Sequence, residues 1–248
     1  MKKSVSKESP LQDENFAEQY IQLRKKEGRL YNDDELRQLP NIRKDHPHYK
    51  EWQIRKRSCR KLLHYIRKKN NILNILEIGC GNGWLTAQLL KVTSGNVTGL
   101  DINGIEIEQA RKVFGEIANC NFIEGNISRC VLGEQRFDLI VFAASIQYFQ
   151  SFKDIIFTAL DLLTLQGEIH IIDSKLYQYN QVAEAQERSK TYFTSMGFPE
   201  MADHYFHHPI NNLQGFNAKI LHDPASWWNK LSYPANPFHW IVIKNGFC

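Results

Sequence analysis

Glu77-Ile78-Gly79-Cys80-Gly81-Asn82-Gly83 sets three glycines at alternate positions between an apolar run and an amphipathic one, and Asp101 stands at the end of the next apolar run. Glycine accepts the left-handed backbone of a tight turn and lets main chain approach a ligand closely. An acid ending a neighbouring strand can hold the two hydroxyls of a ribose. The spacing therefore points to a nucleoside-containing ligand at a strand–turn–helix junction. Plainer roles exist for each residue taken alone: Gly81 or Gly83 as a helix-packing glycine, Asp101 as a helix N-cap, Ile102 as core.

A second group is His204-Tyr205-Phe206-His207-His208-Pro209. His204 and His208 have the i, i+4 spacing of a helical metal pair. No acid pair beyond Asp203 accompanies them, so no metal is expected; a polar pocket lined by one or two histidines, or ordinary surface histidines, are the other readings. Open α/β sheets bind ligands outside the carboxyl ends of their strands, at the point where strand order reverses. That rule nominates Ser145, Gln147 and Tyr148 after a fourth strand, and Asp173, Lys175 and Tyr177 after a fifth. The catalytic candidates are Tyr148, Asp173, His207 and His208; Asp173 is as readily a cap for the segment after it.

The elements that must position these groups can be read from periodicity. A helix is expected over 13–26 through Phe16, Tyr20, Ile21 and Leu23, a short one after the N-cap candidate Asn32, and a long basic one over 49–69 closed by Asn70-Asn71. Strands are expected at 73–78, 96–100, 121–124, 137–143 and 167–172, with helical patterns after the first and the second and a further helix over 152–163 between the fourth and the fifth. Strand 137–143 is apolar enough to be buried on both faces. Alternation of this kind implies a parallel sheet covered by helices. A polar helix over 178–196, a loop or lid over 197–215, and two closing strands at 217–221 and 238–243 complete the chain.

On these residues the chain resembles the class I methyltransferases that use S-adenosylmethionine. Leu76 to Gly83 matches their acid-GxGxG motif, and Gly99 to Asn103, Ile123 to Ile127, Phe137 to Val141, and Leu165 to Glu168 follow in the same order. The resemblance covers about 100 residues, from Ile72 to Ile172. It implies an α/β fold: a Rossmann-like, seven-stranded, mostly parallel sheet with helices on both faces, an N-terminal helical cap and an insertion after strand five. It implies that Gly79, Cys80, Gly81 and Gly83 line the methionine and ribose of the cofactor, with Glu77 at the amino end. Asp101 would bind the ribose hydroxyls, Ile102 would pack on the adenine, and Ala143 would run beside the methionine. Asn126, followed by Ile127, stands where the family most often has Asp to receive the adenine amino group; its carbonyl can still accept that bond. A nicotinamide fold needs GxGxxG, and Trp84 occupies the position of that third glycine.

The expected organisation is a tail and helical cap over 1–48 and a methyltransferase domain over 49–248 with a lid-like insertion at 178–215. The acceptor is expected to be a small molecule or glycan. The rival readings are an RNA or protein methyltransferase docking through helix 49–69, and a catalytically silent binder of the cofactor. The 31 basic and 27 acidic side chains leave a net charge of +4. Much of the excess lies between Arg43 and Lys69, where a solvated helix face with Trp52, Leu62, Leu63 and Ile66 turned inward is the simpler account. Five cysteines without a CxxC pair suggest neither a disulfide framework nor a zinc site. The polar start lacks a signal-peptide core and no apolar stretch approaches membrane length, so a cytoplasmic protein without a membrane partner is expected. Oligomeric state cannot be read.

Overall fold

The computed structural model describes residues 10–69, 73–231 and 234–246. The expected disordered start and the Asn70-Asn71 helix stop fall wholly or largely outside them. Three helices come first: α1 (Pro10–Lys26), α2 (Asp33–Gln38) and α3 (Tyr49–Arg67). Asn32 caps α2 by accepting from the Asp34 and Glu35 amides, while Glu35 reaches back to the Asn32 amide. The long α3 exists as a helix because Trp52, Cys59, Leu62 and Ile66 form one buried stripe, leaving most of its cations on the outer face.

The alternating region follows as β1 (Ile75–Ile78), α4 (Trp84–Leu89), β2 (Val97–Asp101), α5 (Gly104–Phe114), β3 (Cys120–Glu124), α6 (Arg129–Leu132), β4 (Phe137–Ala143), α7 (Phe152–Leu160) and β5 (Leu163–Ser174). The chain ends through α8 (Val182–Ser195), β6 (Asn217–His222), α9 (Trp227–Lys230) and β7 (His239–Lys244). One seven-stranded sheet results, in the order β3-β2-β1-β4-β5-β7-β6. β1 to β5 run parallel and β7 is antiparallel to both its neighbours. Strand order reverses between β1 and β4, whose register sets Ile78 beside Phe142, while Ile78 pairs with Leu100 on the other side. The ends of β1, β2 and β4 therefore share one edge, where a ligand crevice belongs.

Two buried clusters cover the sheet's faces. One joins α3, α4 and α5 through residues such as Trp52, Leu62, Trp84, Leu85 and Ile107. The other joins β4, β5 and α7 through Phe142, Phe152, Ile156 and Ile171. A third, smaller cluster brings Leu23 of α1 against Phe193 of α8 and Met201. The N-terminal cap and the insertion after β5 thus share their own apolar core.

Three expectations need correction. β5 begins at Leu163, not at 167: Phe137 pairs with Leu163 and the register shifts before Leu139, so the expected turn is an irregular part of the strand. Helix 152–163 correspondingly ends at Leu160. His204 ends a 3-10 turn over Pro199–His204 and the chain beyond is extended, so His204 and His208 do not share a helical face.

Candidate active site

The glycine turn is tied to the neighbouring strand: the Gly79 and Cys80 amides donate to the Leu100 carbonyl at 2.8 and 3.1 Å. Gly81 has φ +52°, and a Cβ on it would lie 3.0 Å from Glu106 Oε2. Gly83 behaves differently. A Cβ there would stand 2.4 Å from the Phe122 ring and 3.0 Å from Ala110 Cβ. The side of Gly83 that a side chain would occupy thus serves close packing of α4 on the sheet. Cys80 is buried, with its thiol 3.6 Å from the Gly81 carbonyl.

Three carboxylates meet at this turn, and a fourth, Asp173, stands at the end of β5. Asp101 accepts from the Gly81 amide at 2.8 Å and from the Asn103 amide at 2.9 Å, which fixes the acid to the turn. Burial raises its carboxyl above the usual range against those backbone bonds. Glu77 is 2% exposed and accepts from Thr86 Oγ1 at 2.5 Å. Burial and the Asp101 charge push it up to about 8 although the Thr86 bond opposes them. Glu106, in the first turn of α5, is pushed to about 8 by burial and Asp101, opposed by Arg24 and Arg55. Asp173 ends β5 with Oδ1 buried and without a partner. Burial raises it to about 6 against the charge of Arg55 and a hydrogen bond from Ser58.

The strand ends are strained beside these acids. Ala144 and Asp173 both adopt positive φ, at 55° and 53°, and the Ala144 amide donates to the Ile172 carbonyl at 3.0 Å. A non-glycine residue in that region costs on the order of 1 kcal/mol.

Cations reach the same edge from the cap through an alternating chain of ion pairs. Arg24 meets Glu27 at 2.7 Å, Glu27 meets Arg29 at 3.2 Å, Arg29 meets Glu51 at 2.6 Å, and Glu51 meets Arg55 at 3.1 Å. Both ends of the chain are arginines. Arg55 pulls down Glu77, Glu106 and Asp173, and Arg24 pulls down Glu106. Arg24 also donates to the Tyr148 hydroxyl at 2.8 Å and lies 4.7 Å from the Tyr20 ring centre. Around it stand Phe16, Tyr148 and Tyr205, with Tyr148 5.9 Å from Phe16 and 5.6 Å from Tyr205.

The catalytic candidates therefore separate. Tyr148 lies in this aromatic chamber, and Asp173 lies beside Arg55. His207 hydrogen-bonds Ser189 of α8 at 2.9 Å and packs on Tyr177 and Tyr205; burial and then His208 draw it down to about 4. His208 is buried, bonded to the Ile146 carbonyl at 3.1 Å and packed on Phe152. Both hold the insertion onto the sheet and α8. Ile102 and Ala143 are half-buried at the ends of β2 and β4, Asn126 is exposed just beyond β3, and Ile127 packs toward the α7 face. Among the described residues no cluster of metal-ligating side chains occurs. The sequence pattern singles out neither Arg24 nor Glu106, and Arg55 falls in the basic stretch 43–69, whose simpler account is a solvated helix face.

The site can be tested against a nucleoside–amino-acid cofactor. Gly81 lacks a Cβ where one would meet a carboxylate, Asp101 is fixed to the turn at the end of β2, and the buried Asp173 oxygen lacks a partner beside a cation. A zwitterionic amino-acid end needs such an anion and cation together. The residues fit.

This fold, with a glycine turn at the switch point and an acid ending β2, defines the class I methyltransferases. The sequence profile described as a methyltransferase domain matches residues 69–233, and the chain belongs to that family. A malonyl-[acyl-carrier protein] O-methyltransferase of Ilyobacter polytropus is 32% identical over 115 residues, 46% of this chain and 44% of the relative. The trans-aconitate 2-methyltransferase of an Enterobacter species is 33% identical over 103 residues, 41% of this chain and 39% of the relative. The matched segment thus spans less than half the length of either curated relative. The magnesium protoporphyrin IX methyltransferase of Synechocystis, solved with bound S-adenosylhomocysteine, shares the fold with a TM-score of 0.60 at 12% identity, covering 95% of this chain and 99% of that one. Among the described residues no helix is long and apolar enough to cross a membrane.

Proposed function

We propose that this protein transfers a methyl group from S-adenosylmethionine to a carboxylate oxygen of a small or carrier-bound acid. The observation that carries the acceptor class is the position of Arg24 among Phe16, Tyr20 and Tyr148, while His207 and His208 are bonded elsewhere and His204 packs on Phe16. Glu27 and Tyr148 take two of its guanidinium bonds. An arginine has five N–H donors, so others remain for a second carboxylate. The acceptor names of the two relatives above, malonyl and trans-aconitate, belong to acids and support the same reading.

The cofactor supplies a methyl already activated by its sulfonium. The protein's share is to hold the acceptor in line and to exclude water. A carboxylate brings its own lone pair and has no proton to lose at neutral pH, so the step needs no general base. The chamber agrees with this: Tyr20 and Tyr205 are pushed well above the ordinary tyrosine range by burial. Tyr148 and Arg24 orient the acceptor. The glycine turn and Asp101 hold the adenosyl group, and Glu77, Arg55 and Asp173 hold its amino-acid end. Ile102, Asn126 and Ile127 border the adenine, and Ala143 borders the methionine chain. α1 and the 178–215 insertion close over both ligands.

The test is incubation of the full chain with methyl-labelled S-adenosylmethionine and a panel of small acids and acyl-carrier thioesters. Transfer to an acid with label released as methanol by mild alkali supports an ester product. Alkali-stable label on a small molecule removes the carboxylate and retains methyl transfer. Label on RNA, lost with added salt, favours docking through α3.

A further inference from the structure

We infer that Glu106 is a second carboxylate acceptor for the ribose of the bound cofactor, acting beside Asp101. The inference rests on the cofactor reading above and concerns a residue that the family motifs do not assign.

The argument starts at the N-terminus of α5. Asn103 is the N-cap and its side chain accepts from the Glu106 amide at 3.3 Å. In a capping box the glutamate three residues on would return this bond to the N-cap amide. Here that amide is taken, because Asp101 Oδ1 accepts from it at 2.9 Å. The Glu106 carboxylate has turned instead to the glycine turn. Its two oxygens lie 3.0 and 3.4 Å from the place a Cβ on Gly81 would occupy. Among the described residues neither oxygen receives a hydrogen bond.

Asp101 is arranged the other way. Both its oxygens already accept a backbone amide, from Gly81 and from Asn103. The Ile102 amide bonds the same carboxylate, so little of its accepting capacity is left, whereas the Glu106 oxygens retain all of theirs. A ribose presents two O–H donors on adjacent carbons, and the two acids stand at the same turn residue, Asp101 on the Gly81 amide and Glu106 against the side of Gly81 that lacks a Cβ. Without a donor, two half-buried carboxylates side by side are costly, and Glu106 shows this in its rise to about 8. Arg24 and Arg55 relieve that pairing through charge, while Tyr20 of α1 faces the same acids. The diol supplies the hydrogen bonds that are missing.

The test uses isothermal titration of the full chain with S-adenosylhomocysteine and with its 2′-deoxy and 3′-deoxy forms. Wild type, Glu106→Leu and Glu106→Gln are compared, with circular dichroism to confirm folding. Removal of a hydroxyl that donates to a charged acceptor should weaken wild-type binding roughly tenfold or more. Glu106→Leu should lose a similar factor for the parent ligand, and its penalty for at least one deoxy form should nearly vanish. Glu106→Gln should fall between the two, and it carries the test if the leucine variant does not fold. Variants that bind all ligands as wild type does would overturn the assignment. So would variants that weaken parent and deoxy ligands equally, since Glu106 would then only shape the turn. Absence of any binding by wild type would instead overturn the cofactor reading, and this assignment with it.

Discussion

Asp101 pins the glycine turn through the Gly81 amide, and in the proposed function it also accepts from the ribose. Asp101→Ala should therefore weaken S-adenosylhomocysteine binding by roughly tenfold to a hundredfold, the value of charge-assisted hydrogen bonds lost at one acid; a titration within threefold of wild type would refute the role. Gly81→Val is the sharper probe of space. Its branched side chain would have to occupy the volume held by the Glu106 carboxylate, at a backbone φ of +52° that valine resists. Binding should be lost while the far-ultraviolet dichroism persists, and a binding-competent valine variant would place the ligand elsewhere. Arg24 tests the acceptor side. Arg24→Met should raise the acceptor KM at least tenfold with a smaller change in cofactor affinity, and Arg24→Lys should recover only part of it because a point charge cannot replace a fork. Equal losses for both substrates would show that Arg24 acts only by holding α1.

The elements differ in how far they could be read from the sequence. β1, β2 and β4 were legible because each is a short apolar run bounded by turn residues, and their shared edge follows from parallel order. The start of β5 was not. Its ladder with Phe137 depends on a register shift that no local pattern signals, and Leu165 is left 91% exposed inside the strand. The cofactor turn was legible through its glycines, whereas the cap's contribution depends on which helix faces give their charges to one another. Glu27 shows the difficulty: it lies just past the helix expected over 13–26, where no pattern marks it, yet it binds Arg24 and Arg29 and accepts from the Tyr192 hydroxyl of α8. Glu27→Ala should leave two half-buried arginines short of an anion and detach α1 from α8. Hydrogen exchange in α1 and α8 should accelerate while the amides of β1 and β4 keep wild-type protection. Uniform acceleration across the sheet would mean that cap and sheet open as one unit.

At the scale of the whole molecule, buried acids set the response to pH. Glu77 and Glu106 ionise near 8 in the folded chain and near the ordinary value of about 4.5 when unfolded. A raised folded pKa favours the native state fully below about 4.5, and that support is lost as pH climbs through about 8. Glu51 and Glu168 work in the opposite sense. Burial would raise each, but hydrogen bonds from Arg29 to the first, and from His170, Lys69 and Tyr65 to the second, hold both down to about 2. Their support is present above about 4.5 and disappears as pH falls toward 2. The first set erodes stability on the alkaline side and the second on the acid side, where His170, His207, His208, His222 and His239, all lowered by burial, add to the loss. Urea unfolding isolates one contributor. Between pH 6 and pH 8 wild type should lose about 2 kcal/mol more than Glu77→Gln, because glutamine has no proton to give up. Parallel curves for the two proteins would show that Glu77 is already ionised at pH 6. Saturating S-adenosylhomocysteine should raise stability at every pH, as a ligand of the native state must. If the ribose donates to Asp101 and Glu106 it should also flatten the alkaline limb, since those donors stabilise the ionised acids that the empty site disfavours.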